Sequence, residues 1–173
     1  MTWATQDLKR WQDGTPELYN KLVFPVEANT KVWGNSIAIT DTSGNLIGTN
    51  TTANLSTSCT CWGVVSRQVD NTTATGSTQP GGGSGVACSV YADVDQGMFW
   101  FPCCTGADAV TNANIGQKMF AADNASVAGT NGSSSRPPVG TLMAIAGSTQ
   151  LASGIPAGYV LIAIGPSAQA GPL

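Results

Sequence analysis

From Lys21 to Ile164 the chain alternates short apolar runs with clusters of Gly, Pro, Asn and Ser. The runs read KLVFPVE, KVWGNSIAI, CTCWGVVSRQV, VACSVYADV, GMFWFP, QKMFAAD, SVAG, GTLMAIAG and GYVLIAIGP. Apolar runs of this length, bounded by turn residues, predict strands, and their number predicts a barrel or sandwich rather than alternating strands and helices. The expected fold is all-β: a compact β-barrel or sandwich of short strands with little helix. Pro25 suits an edge strand, because proline donates nothing to a ladder. Ser43-Gly44-Asn45 reads as a turn, and DAVTNANIG as a single helical turn. Two polar stretches, 70–85 and 131–140, read as loops, the second stiffened by Pro137 and Pro138.

The pattern differs before Lys21. TQDLKRWQDG predicts one short helix with Thr5 as its N-cap, Leu8 and Trp11 on one face, and Gly14 as its stop. A helix this short is marginal alone and orders against a partner surface. Trp3, Leu8 and Trp11 are the residues that would make that contact. The expected organisation is an arm at 1–20, a β domain at 21–166 and a tail at 167–173.

GMFWFP carries bulky side chains at consecutive positions. On a strand, Met98 and Trp100 face one way, Phe99 and Phe101 the other. Apolar groups on both faces call for cover on both sides. One cover is the domain's own core; the other is expected to be a second subunit, which makes Phe99, Trp100 and Phe101 candidate oligomer contacts. A sugar-binding platform built on Trp100 or Trp62 is the alternative use of such rings.

Composition narrows the chemistry. Charged residues make up 10% of the 173-residue chain and its net charge is -3, with seven basic residues scattered along it. Nucleic acid rewards clustered Lys and Arg, so it is not an expected partner. The longest apolar run, Tyr159–Ile164, is far shorter than the ~20 residues of a spanning helix, so no membrane role is expected. The N-terminal sequence has no apolar stretch of signal-peptide length, so the protein is expected to be made and kept in the cytosol unless carried out in a larger assembly.

The sequence contains no histidine, which removes the commonest general base and metal ligand. Lys9, Lys21, Lys31 and Lys118 leave a Ser-Lys pair open on composition alone. The cysteines, at 59, 61, 88, 103 and 104, are odd in number, which speaks against a secreted disulfide framework. Cys59 with Cys61 and Cys103 with Cys104 lack the spacing of zinc sites and read as buried thiols. Asp93 and Asp95 form the best carboxylate pair, on one face of a strand, and are the weak candidates for a metal or acid–base site. A hard cation wants six or more oxygens, so a solvated strand end is the plainer reading. PGGGSG lacks the Gly-Lys-Ser/Thr ending of a phosphate loop and reads as linker. Neither enzyme activity nor a cofactor is expected.

One longer series remains. Gly97 to Phe99, Asp108 to Val110, Ile115-Gly116 with Phe120, Asp123 with Ser126-Val127-Ala128, and Arg136 with Val139-Gly140 follow one another in order. With LVFPVEANTKVWGNSIAITDTSGNLI upstream, the series resembles the head decoration (cement) proteins of tailed bacteriophages, over about Leu22 to Ile164. The long Gly-rich insert at 76–85 and the displaced last strand depart from that family's pattern. The resemblance implies a compact β-barrel, often a homotrimer, docked on the outer surface of a phage capsid and reinforcing it. The major capsid protein would be its partner, and the N-terminal arm would touch the shell. It also implies assembly in the host cytoplasm and residence on the capsid exterior. The alternative is a host- or glycan-binding module carried on the phage particle as a head fibre or tail component.

Overall fold

The computed structural model describes residues 21–48, 55–73, 85–147 and 155–165. The expected arm at 1–20, the tail at 167–173 and most of the Gly-rich stretch lie outside them. The described chain is all-β, as the alternation of apolar runs and turn residues predicts. Its strands are β1 (Lys21–Pro25), β2 (Lys31–Val32), β3 (Ile37–Thr40), β4 (Thr60–Val65), β5 (Val69–Asp70), β6 (Tyr91–Asp95), β7 (Gly97–Pro102), β8 (Lys118–Ala121), β9 (Val127–Ala128), β10 (Pro138–Ile145) and β11 (Tyr159–Ile164). The expected helical turn is present as two 3-10 turns, Gly106–Asp108 and Asn112–Asn114.

Every strand pair is antiparallel. One sheet runs β1-β6-β4-β3, a second runs β7-β11-β10-β8-β9, and β2 with β5 forms a separate ribbon. The ribbon is tied by the Lys31–Asp70 ion pair at 3.7 Å, with the Lys31 ammonium 4.0 Å from the Trp33 ring centre.

The main core lies between the two sheets. Ile37, Ile39, Cys61 and Val64 from the first meet Phe99, Phe101, Met119, Val127, Leu142, Val160 and Ile162 from the second. A second cluster on the other face of the first sheet joins Ala38, Val65, Ala92 and Val94 to Val32 and Val69 of the ribbon.

Three bulges let single strands serve two clusters. Between Ala38 and Ile39 the partner strand carries an extra residue, Trp62, so Cys61 and Val64 share a face although three positions apart. Strand β10 has one irregularity between Pro138 and Gly140 and another at Met143. The second turns Leu142 into the main core and Ala144 to the outside face. Each extra residue flips the side chains beyond it and bends the strand, and the two in β10 curl the five-stranded sheet. It is a half-barrel whose two edges meet at one end: Val127 of β9 bridges Cys103, the residue just past β7.

The sides expected for the aromatic run are the ones observed. Phe99 and Phe101 point into the main core, their ring centres 6.5 Å apart, while Trp100 packs on the outer face with Met98, Ala144, Leu161, Ile155 and Tyr159. All three are buried within a single chain, with exposures of 4%, 2% and 0%. The expectation that a second subunit covers these rings is corrected: Trp100 finds its cover on its own sheet, so no partner is needed to bury any of the three.

Candidate functional site

The most organised polar region is the seam where the half-barrel's edges meet. Past β7 the chain stays extended, and its backbone takes partners from both sides: Cys103 N–H donates to Gly158 O at 2.9 Å and Cys104 N–H to Val127 O at 2.9 Å. The chain then turns through the first 3-10 turn, which delivers Asp108 to the seam. Gly129, just after β9, is held there by its N–H to Asp108 O at 2.8 Å.

Asp108 meets Arg136 in a two-point contact, Nη1 to Oδ1 at 2.9 Å and Nη2 to Oδ2 at 3.0 Å. The Thr130 hydroxyl donates to the same carboxylate. Those bonds, Arg136 first and Thr130 second, hold the Asp108 carboxyl below the usual carboxylate range. The same pairing raises the Arg136 guanidinium above its ordinary value. Two-point arginine–carboxylate contacts fix orientation as well as charge, and this one joins the 3-10 turn to the start of β10.

Asp123 stands in the turn between β8 and β9. Its Oδ1 accepts the N–H groups of Ala125 at 2.7 Å and Ser126 at 2.6 Å, closing the turn that feeds β9. The residue is 1% exposed, and its charge acts on Arg136. A cavity of about 470 Å³ opens beside these groups, lined by Pro102, Cys103, Cys104, Thr105, Asp108, Ala125 and Ser126. Burial pushes the Cys103 thiol up, and the neighbouring Cys104 and Asp108 add to the effect. Asp108, the Arg136 guanidinium and the Thr130 hydroxyl bind one another, which suits a joint that holds shape, while Asp123 Oδ2 is buried with no hydrogen-bond partner among the described residues.

Asp93 and Asp95 lie on one face of β6, as expected, and Asp95 accepts the Ser66 hydroxyl at 2.7 Å. Asp95 stands opposite Val64, so the pair shares the face that elsewhere packs on the second sheet; at the β1–β6 end that face is open, with Val23 and Tyr91 exposed. Tyr91 shares the carboxylates' side of the strand. Among the described residues no group of three or more Asp, Glu, Cys or His converges as metal ligands. Cys59 and Cys61 are buried in the main core, and burial is the main cause that pushes the Cys61 thiol far above its ordinary range. Trp62 stacks on Phe24, ring centres 5.1 Å apart, and donates its indole N–H to Thr40 Oγ1 at 2.9 Å. Trp100 is buried, so it has no face free for a sugar. Trp3, Leu8 and Trp11 lie outside the described residues.

Asn71 escapes sequence reasoning. Within a sequon-like Asn-Thr-Thr it reads as one polar residue among many, yet it is fully buried. Its amide donates to Val26 O, Glu27 O and Val86 O, and its Oδ1 accepts from Ser89 at 2.6 Å. No local signal marks it, because its side-chain partners come from two segments distant in sequence, 26–27 and 86–89. Compared with protein-family models, curated proteins and solved structures, the chain gives no match.

Proposed function

We propose that this chain is a virion structural protein that decorates and stabilises the outer surface of a bacteriophage capsid, acting as a homotrimer on the major capsid protein. One observation carries the reading: the residues that resemble the decoration family hold this half-barrel together. Gly97 takes a φ of 145° where β7 begins, and Asp108 and Arg136 pair across the seam. Gly116 takes a φ of 85° and donates its N–H to Leu142 O, and Asp123 closes the turn into β9. Gly140 lies so close to β11 that a Cβ there would stand 2.1 Å from Ala163 O. The resemblance therefore falls on positions with physical roles in the fold, the kind of position that related folds share.

The arm at 1–20 supplies the shell contact in this account. Several such contacts on one oligomer bind far more tightly than one, because each after the first is intramolecular. Light scattering on a gel-filtration column, with and without residues 1–20, tests the arrangement. The expected result is a trimer in both cases, with head binding lost on truncation. A monomer, or a truncated chain that binds heads as well as the full one, contradicts it.

A second reading, a glycan- or host-binding module on the particle, is favoured by the seam cavity, whose volume is in the range that holds small ligands. In that reading Thr105, Ser126 and Asp108 would make the polar contacts. Glycan-array binding abolished by Ser126→Ala would support it.

A further inference from the structure

The loop between β9 and β10 has an unusual backbone. Gly132, Ser133 and Ser134 take φ values of 56°, 59° and 66°, three left-handed residues in a row, two of them bearing a Cβ. Such residues normally occur singly, at a cost of about 1–2 kcal/mol each. The turn is held by Asn131 O, which accepts both Ser135 N–H and Arg136 N–H at 3.1 Å, and by Ser135 Oγ donating to Gly132 O at 2.6 Å. It begins at Asn131-Gly132, the one Asn-Gly step in the sequence.

We infer that Asn131 is a site of spontaneous covalent modification, in which the strained turn and Arg136 promote deamidation through a cyclic imide with Gly132. Gly132 has no side chain to obstruct its backbone nitrogen. The Asn131 side chain is exposed, and among the described residues neither its carboxamide nor the Gly132 N–H makes a hydrogen bond. Arg136 has both terminal nitrogens committed, Nη1 to Asp108 and Thr130 O, Nη2 to Asp108. Its Nε is turned towards the turn: a Cβ built on Gly132 would stand 2.9 Å from it. Nε, the guanidinium nitrogen not bonded to Asp108 or Thr130, thus keeps a share of positive charge on the Gly132 side, where it favours the negative charge that develops when the Gly132 nitrogen loses its proton.

The step balances without an oxidant or reductant. The Gly132 nitrogen gives its proton to solvent and bonds to Asn131 Cγ. The Cγ–Nδ2 bond breaks, Nδ2 takes a proton and leaves as ammonia, and a five-membered imide remains. Water then opens the imide at either carbonyl, leaving aspartate or, with the backbone rerouted through the side chain, isoaspartate. The other asparagines precede bulkier residues, and Asn71 and Asn124 are buried.

The test is incubation of the full chain at neutral pH and body temperature, followed by peptide mass mapping and enzymatic isoaspartate detection, beside a urea-unfolded sample. The expected result is conversion concentrated at Asn131 in the folded protein. Arg136→Gln should slow it roughly two- to fivefold, the range a partly exposed charge contact supplies, while Arg136→Lys keeps most of the rate. An intact Asn131 in folded protein when the unfolded chain converts would overturn the inference. So would an Arg136→Gln rate equal to or above that of the parent.

Discussion

Asp108 and Arg136, 28 positions apart, clasp each other through two nitrogen–oxygen contacts and so fasten the end of one sheet edge to the start of β10. Replacing either partner leaves the other partly buried and uncompensated. Asp108→Asn or Arg136→Gln should lower unfolding stability by about 1 kcal/mol at neutral pH, the upper end for a partly exposed pair. The pH dependence has a definite sign. Asp108 is held below its ordinary range when folded, so its contribution is present above that range and fades as the pH falls through the folded-state value. The Arg136 contribution, from a raised value, persists throughout this window. Denaturant unfolding of parent and Asp108→Asn should therefore differ at neutral pH and converge in acid.

Gly140 and Gly147 are glycines for different reasons. At Gly140 a Cβ would stand 2.1 Å from Ala163 O, so Gly140→Ala must push β10 from β11 and should cost roughly 3 kcal/mol or more. At Gly147 the space is open and only the φ of 84° matters, so Gly147→Ala should cost about 1 kcal/mol. Chemical denaturation of the two variants checks the order.

Trp100 is a packing residue in this structure. Trp100→Ala should destabilise the chain by about 3–5 kcal/mol, as loss of a buried large ring does. A variant of unchanged stability that no longer binds a glycan or oligomerises would return Trp100 to the surface role that its sequence setting suggests.

The thiols should divide by position. Cys88 is exposed and should react with iodoacetamide in the folded protein. Cys59 and Cys61 sit in the main core, the Cys61 thiol is strongly disfavoured as thiolate, and both should label only on unfolding. Mass mapping before and after denaturation reads this directly.

What the sequence shows is what local pattern controls. GMFWFP and YVLIAI stand in the structure as β7 and β11, because uninterrupted apolar side chains bounded by Gly and Pro leave little choice. The turn at Ser43-Gly44-Asn45 is equally local: Asp41 caps it, accepting Ser43 N–H and Asn45 N–H at 2.9 Å. The order of strands in the sheets is not local, and neither is the bulge at Met143 that turns β10 from one cluster to the other. The resemblance motif contains both Asp108 and Arg136, but nothing in the spacing says that they meet. Asn71 and Asp123 were harder still, since a buried polar residue is defined by partners the sequence does not place beside it.

Capsid decoration is tested most directly by saturation binding of the intact chain to undecorated phage heads, followed by sedimentation and heat challenge. Binding should level off at a fixed number of copies per head, in multiples of three, with heads more resistant to heat. Heads that sediment bare at micromolar protein, an affinity of about -8 kcal/mol left unreached, and melt no later than before would contradict it.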